Sequence, residues 1–128
     1  MAWIELVSLA ALIQYLIFGS LVGRARGRYG VRAPATTGHE MFERAYRVQM
    51  NTLELLVVFL PSLWLAARHW SPAVVSGVGA VYILGRVLYY RAYTREPATR
   101  GAGYLLSIVP TVSLLVAAIV GAVSALAA

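Results

Sequence analysis

A ladder of polar side chains enters the second hydrophobic segment of the chain. The stretch FERAYRVQMNTLELLVVFLPSLWL, from Phe42 to Leu65, begins polar and ends almost entirely apolar. Arginine binds carboxylates bidentately, a carboxylate binds an ammonium group, and asparagine offers both a donor and an acceptor. At about 100° per residue, five such side chains fall within about 80° on one face of a helix, with Gln49 pointing the opposite way: Glu40, Glu43, Arg47, Asn51 and Glu54. This face suits a ligand that carries both signs of charge.

The third hydrophobic segment carries a second polar stripe. Five side chains fall within about 100° of one another on a helix: Tyr82, Arg86, Tyr89, Tyr90 and Tyr93. A charged group in the middle of a membrane helix costs about 2.5–3.5 kcal/mol on insertion scales and needs partners or a water-filled cavity. One interpretation is that the two stripes bind each other and hold the helices together. The other is a pocket for an anionic, zwitterionic ligand, which the excess of arginine over carboxylate favours.

The composition indicates a membrane protein. Of 128 residues, 60% are hydrophobic and 12% are charged, and the mean hydropathy is +0.72. A soluble domain of this length could not bury that much apolar surface. Cysteine is absent, and the two histidines have no ligand spacing, so we expect no metal site. The formal charge is +6, but the basic residues, all arginines, alternate with apolar spans, which argues against nucleic acid as a partner.

Four apolar stretches are long enough to cross a bilayer, at about 20 residues each. They cover residues 3–22, 48–67, 72–90 and 103–127, and predict a single all-α domain over 1–128, an integral membrane four-helix bundle of up-down topology. Glu5 and the lack of an early basic residue argue against a cleaved signal peptide. Glycine and proline in the first connection predict a loop rather than more helix. Pro97 is expected to end helix three or open helix four.

Arginine placement predicts the orientation. Ten of the eleven arginines lie around the first and third connections, and Arg68 alone lies in the second. By the positive-inside rule, the first and third connections face the cytoplasm and both termini face the other side. Four short helices make a thin bundle that could hardly enclose a large ligand. We therefore expect a homo-oligomer with sites between protomers, and Gln49 either bonds a neighbouring helix or contributes to a neighbouring subunit's pocket.

Three motifs resemble those of the MAPEG family of membrane-associated proteins in eicosanoid and glutathione metabolism. They are PATTG, FERAYRVQMNTLE and YILGRVLYYRAYTR, and the resemblance covers essentially the whole chain. It is nearest to the leukotriene C synthase and microsomal glutathione transferase branches. The resemblance implies a homotrimer with glutathione bound between adjacent subunits and open to the cytoplasm. It further implies that a hydrophobic electrophile arrives from the lipid membrane.

The resemblance also implies roles for individual residues. Arg47, Asn51 and Glu54 would bind glutathione, Gln49 would reach it from the neighbouring protomer, and Arg26 would meet a carboxylate. Tyr89 and Tyr93 would line the pocket, Arg86 would lie beside these groups, and Arg100 would face the sulfur. The chain departs from the leukotriene-forming branch at Leu55, where that branch has tyrosine, and at Gly27, where it has a second arginine. Neither departure touches the residues expected to bind glutathione.

The implied chemistry is a membrane glutathione transferase, with glutathione as cosubstrate. A guanidinium near sulfur lowers the pKa of the thiol and favours the thiolate. Arg100 is expected in this role, with Tyr93 as a hydrogen-bond donor to sulfur. The product would be a thioether, or an alcohol if a hydroperoxide is reduced. The alternative is a non-catalytic glutathione- or lipid-binding membrane protein of the same fold. The all-arginine, alanine-rich composition hints at a bacterial plasma membrane.

Overall fold

Four long helices build the whole chain. The computed structural model describes residues 1–128 and contains no strand. The helices are α1 (Ala2–Tyr29), α2 (Glu40–Ala67), α3 (Pro72–Arg95) and α4 (Gly101–Ala127), with a short 3-10 helix, Pro97–Thr99, before α4. Each long helix is long and apolar enough to cross a membrane. The prediction of an all-α chain with four membrane-spanning helices is confirmed.

Side-chain bonds between helix ends show that consecutive helices run antiparallel. The Trp64 indole near the end of α2 donates to Ser8 Oγ near the start of α1, at 2.8 Å. Arg44 Nη1 near the start of α2 donates to the Thr94 carbonyl near the end of α3, at 3.2 Å. The Trp70 indole before α3 donates to the Ala117 carbonyl late in α4, at 2.8 Å. The bundle is therefore up-down, with α1 and α4 each packed against α2 and α3.

The core lies where the helices meet, and the outer surface is apolar. Phe59 of α2 stacks on Tyr82 of α3 at 3.8 Å between ring centroids, and both side chains are fully buried. Many leucine, isoleucine and valine side chains face outward, among them Leu16 and Val57, each 68% exposed. Such an apolar exterior is stable in hydrocarbon and would aggregate in water.

The arginine-rich ends of the helices extend further than the hydropathy pattern predicted. The prediction of a loop after residue 22 is wrong for its first part, because α1 continues to Tyr29. Arginine favours helix, and Gly30 ends it in the left-handed conformation at φ 67°, where its N–H bonds the Arg26 carbonyl. Pro97 neither ends α3 nor begins α4, since it opens the 3-10 helix between them.

Two glycines bring α3 and α4 into backbone contact beside the polar stripes. A Cβ on Gly85 would lie 2.6 Å from the carbonyl carbon of Leu106, and a Cβ on Gly103 would overlap the Tyr89 backbone. Any larger residue would push the helices apart at either position. This close approach allows a side chain of α3 to reach a short hydroxyl side chain on α4.

Candidate functional site

Arg86 is a fully buried cation at the centre of the bundle, with 0% of its surface exposed. Its Nε donates to Ser107 Oγ of α4 at 2.9 Å. Its Nη1 donates to two residues of α2, Asn51 Oδ1 at 2.7 Å and Thr52 Oγ1 at 3.2 Å. Arg86 therefore ties α2, α3 and α4 together at one level and joins the two polar stripes.

No carboxylate neutralises this guanidinium. It lies 4.2 Å from the ring centroid of Tyr89, a cation–π contact that offsets part of the cost of burial. Its second terminal nitrogen, Nη2, is buried and makes no hydrogen bond within the chain. Both ion pairs in the structure lie elsewhere, between Arg44 and Glu40 and between Arg47 and Glu54. The interior at this level therefore keeps a net positive charge, which attracts anions.

The outer face of α2 carries the other charged members of its stripe. Arg47 Nη1 donates to Glu54 Oε1 at 3.0 Å, two helical turns away, and the side chains are 50% and 59% exposed. Asn51 lies between them and is partly buried. Because its Oδ1 accepts from Arg86, its amide N–H groups are left to face other partners. This face thus offers a cation, an anion and an amide donor within two turns.

Aromatic side chains cover the approach to Arg86 from α3 and α4. The buried Tyr89 stacks on Tyr93 at 5.5 Å between centroids, and the ring of Tyr104 lies 6.3 Å from Tyr89. Arg47 and Arg100 both lie within Coulombic range of the Tyr89 hydroxyl. Arg100 is exposed at the start of α4, and its Nη1 donates to the Pro97 carbonyl at 2.9 Å.

A cleft of about 340 Å³ opens beside this group at the α2 N-terminal end of the bundle. Drug-sized ligands occupy pockets of about 300–1,000 Å³, so the cleft is at the small end of that range. Among the predicted binding residues it includes Arg47 and Tyr93. The other lining residues come from the first connection, the start of α2 and the turn before α4: Thr36, Glu40, Glu43, Arg44, Tyr46 and Pro97.

Two predicted site residues lie on a different side of the bundle. Arg26 Nη1 donates to the Ala35 carbonyl at 2.7 Å, and its guanidinium lies 4.7 Å from the Phe42 ring centroid. Gln49 faces α1, with its Nε2 2.9 Å from where a Cβ on Gly19 would lie. Phe42 and Gln49 are seven residues apart and share one face of α2, opposite Arg47. A single chain therefore brings Arg47, Asn51, Glu54, Arg86, Tyr89, Tyr93 and Arg100 to one side and keeps Arg26 and Gln49 on another.

Three neighbours of the site escaped the sequence reasoning. Thr52 and Ser107 are buried partners of Arg86, and each also donates to a carbonyl of its own helix, Val48 at 2.8 Å and Gly103 at 2.7 Å. Serine and threonine carry no charge, so they do not stand out in the charge pattern of the sequence. They could have been found only by asking which side chains near Arg86 could accept its hydrogen bonds. Tyr104 lies on α4, outside both polar stripes, and the structure places its ring near Tyr89.

The fold and the buried polar group define an all-α, multi-pass integral membrane protein. The profile of the MAPEG family matches residues 4–120, and the chain belongs to that family, as its motifs predicted. An uncharacterized protein of Synechocystis is 45% identical over 117 residues, which are 91% of this chain and 85% of that protein. Human microsomal glutathione S-transferase 2 is 37% identical over 102 residues, 80% of this chain and 69% of that enzyme. Leukotriene C4 synthase of Cavia porcellus is 34% identical over 99 residues, 77% and 66% of the two chains.

Proposed function

We propose that this protein is a membrane glutathione transferase that activates glutathione as a thiolate for attack on lipophilic electrophiles. Glutathione carries two carboxylates and one ammonium group, and its sulfur adds a further negative charge when ionised. This side of the bundle holds four arginines and three carboxylates, so it keeps an excess of positive charge that complements the thiolate form: Arg44, Arg47, Arg86 and Arg100, with Glu40, Glu43 and Glu54. Relatives named glutathione S-transferase and leukotriene C4 synthase support the proposal.

The observation that carries the proposal is the bond from Arg86 to Asn51 beside the exposed pair of Arg47 and Glu54. Helix association alone would be served by neutral polar bonds, whereas a buried, unpaired cation is costly. The bond also fixes the Asn51 amide so that its N–H groups are free for a carboxylate or carbonyl of the ligand. On binding, the ion pair between Glu54 and Arg47 would open. Glu54 would then bind the ammonium group of glutathione, and Arg47 would bind one of its carboxylates.

In this proposal Arg100 and Tyr93 act on sulfur. The guanidinium of Arg100 stabilises the thiolate electrostatically, and the Tyr93 hydroxyl donates a hydrogen bond to it. The thiol proton leaves to solvent, and a sulfur lone pair forms a bond to the electrophilic carbon as the leaving group departs with its electron pair. Holding the thiolate next to a substrate that is already concentrated in the bilayer supplies proximity.

A hydroperoxide would react at oxygen instead of carbon. The thiolate attacks the peroxide bond, which gives an alcohol and a glutathione sulfenic acid, and a second glutathione converts that acid to the disulfide and water. The same sulfur activation serves both reactions. Leu55 and Gly27 have no polar side chain, so neither position contributes to this chemistry. Leu55 is buried in the core, and a Cβ on Gly27 would contact nothing within 4 Å.

We further propose a homotrimer with glutathione between adjacent subunits. The separation of Arg26 and Gln49 from the Arg47 face within one chain supports this arrangement, because a neighbouring copy could supply them to the same ligand. The electrophile would enter along the crevice between helix α1 of one subunit and α4 of the next. The arginine-rich connections would place the site on the cytoplasmic side, in a bacterial plasma membrane.

A second candidate is a non-catalytic glutathione- or lipid-binding protein of the same fold. One observation favours it: the Arg100 guanidinium bonds the Pro97 carbonyl of its own turn rather than any member of the polar cluster. A protein that uses its arginines only to hold glutathione needs no cation at sulfur. The two candidates therefore differ in what Arg100 does to the thiol.

Ultraviolet difference spectroscopy separates the candidates. Adding glutathione to the purified protein in detergent should produce the thiolate absorbance band, and Arg100→Ala should abolish the band while glutathione still binds. Arg95→Ala removes an exposed arginine from the end of α3 and should leave the band unchanged. Binding by the wild type without a thiolate band or conjugation would favour the binding-only protein. Failure to bind glutathione would reject the transferase and leave only the lipid-binding form of the second candidate.

A further inference from the structure

A groove follows the seam between α1 and α3, away from the cluster around Arg86. Its lower part is an apolar recess of about 400 Å³ lined chiefly by Ile13, Ile17 and Val87. Its upper part is a polar recess of about 240 Å³ that includes Arg24 and Arg28. Tyr90 lines both recesses, so they are adjacent along the bundle, and Met41 and Ala45 of α2 also line the polar one. We call this feature the α1/α3 groove.

The length of the groove matches one leaflet of a bilayer. Gln14 lines the apolar recess, and Arg24 lines the polar one ten residues later on the same helix. At about 1.5 Å per residue this is about 15 Å, half of a hydrocarbon core about 30 Å thick. The groove therefore reaches from the basic end of α1 to about the middle of the membrane.

The basic end of the groove has arginines that no acidic residue neutralises. Arg24 and Arg28 come from α1, and Arg91, at the upper rim of the apolar recess, comes from α3. All three are exposed, and none takes part in either ion pair of the structure. Arg28 lies near an aromatic ring, 5.6 Å from the centroid of Tyr29. Two neighbouring helices thus place exposed arginines without ion pairs around the two recesses.

We propose that the α1/α3 groove binds one anionic phospholipid of the adjacent leaflet. Its phosphate lies between Arg24, Arg28 and Arg91, which can each donate two hydrogen bonds to phosphate oxygens. One acyl chain lies in the apolar recess against Ile13 and Val87. Basic pockets between transmembrane helices select anionic head groups in this way, whereas a zwitterionic head group adds a positive charge that the arginines repel. The site is independent of the proposed glutathione chemistry.

Native mass spectrometry tests the proposal directly. The protein is reconstituted in vesicles of equal parts phosphatidylglycerol and phosphatidylcholine, extracted in mild detergent, and the lipids retained per chain are counted. We expect one retained phosphatidylglycerol per chain. Each arginine near a membrane surface contributes about fivefold in affinity, so Arg24→Gln with Arg91→Gln should lower retention about 25-fold. Arg32→Gln with Arg95→Gln removes the same charge outside the groove and should retain the lipid.

A second variant tests the apolar half and the source of the phosphate. Val87→Trp fills the apolar recess and should displace the lipid without changing the charge. Inorganic phosphate should not compete with phosphatidylglycerol, because it lacks the acyl chain. Equal retention of the two lipids, equal loss in both double variants, or displacement by inorganic phosphate would overturn the proposal. Absence of any retained lipid would also overturn it and favour a second copy of the chain as the occupant of the groove.

Discussion

Replacing Arg86 by methionine removes the buried guanidinium and keeps an unbranched apolar side chain in its place. Thr52 and Ser107 would still donate to their own helix carbonyls, at 2.8 and 2.7 Å. Of the three oxygens that accept from Arg86, only Asn51 Oδ1 is left without a partner in the chain, and because Asn51 is partly exposed, water can replace the guanidinium. The variant strands no charge, because no carboxylate pairs with Arg86. We therefore expect it to fold, with a smaller loss of stability than the 3–5 kcal/mol, roughly, that follows when one partner of a buried ion pair is removed.

Binding should respond far more strongly than folding. Without Arg86 the Asn51 amide is free to turn, and the ligand loses a donor held in a fixed direction. A hydrogen bond to a charged group contributes about 1.5–3 kcal/mol, so the dissociation constant for glutathione should rise about 10- to 150-fold. The loss of positive charge near the ligand acts in the same direction. Isothermal titration calorimetry in detergent measures the binding, and thermal unfolding in the same detergent measures the stability.

Two further variants make this prediction selective. Tyr82 lies on the same helix as Arg86, and its buried hydroxyl has no hydrogen-bond partner. Tyr82→Phe should therefore leave both glutathione binding and thermal unfolding near wild type. Asn51→Asp pairs Arg86 with a carboxylate, so the thermal midpoint should rise while glutathione binding is lost. If Arg86→Met binds glutathione within twofold of wild type, or unfolds the protein while Tyr82→Phe does not, then Arg86 only holds the helices together and our reasoning about the site is wrong.

Three other predictions concern packing, assembly and orientation. Gly85→Ala inserts a methyl group against the α4 backbone and should cost about 1–3 kcal/mol in stability, whereas Gly77→Ala, with nothing within 4 Å, should not lower the thermal midpoint. Arg47→Ala and Gln49→Ala should each inactivate a homotrimer. Co-expression of the two variants should restore about a quarter of the activity if each site combines faces of two subunits, and none if each site lies within one chain. The chain has no cysteine, so a single cysteine at Thr36 should react with an impermeant maleimide only from the cytoplasmic side, and labelling from the outside would reverse the topology.

The sequence predicted the membrane fold well because hydropathy reports directly on the solvent that surrounds each helix. It failed at the arginine-rich end of α1, where hydropathy detects the end of the apolar span rather than the end of the helix. Arg24 and Arg28 are helical although they lie beyond the predicted apolar span of residues 3–22, and the left-handed Gly30 ends the helix. Helix length and membrane thickness are separate quantities, and composition reports only the second.

The candidate site was predictable to the level of helix faces and no further. Periodicity correctly indicated that the stripes of α2 and α3 meet, which they do at Asn51 and Arg86. It could not indicate that Arg47 would bond Glu54 on the same helix, because angular position says nothing about how far a long side chain reaches. Nor could it find Ser107, whose contact with Arg86 depends on the close approach of α3 and α4.

The buried Arg86 and the exposed arginines of the α1/α3 groove differ in how their side chains are held. This difference argues for separate roles. Arg86 is fixed by three hydrogen bonds and a ring, so its orientation is set before any ligand arrives. Such preorganisation suits the recognition of one molecule in one pose. Arg24, Arg28 and Arg91 are exposed and unpaired, so they can adapt to a head group whose position varies. A fixed cation beside a polar face and exposed cations beside an apolar groove thus suit the two separate roles that we propose, one toward a water-soluble ligand and one toward an anionic lipid.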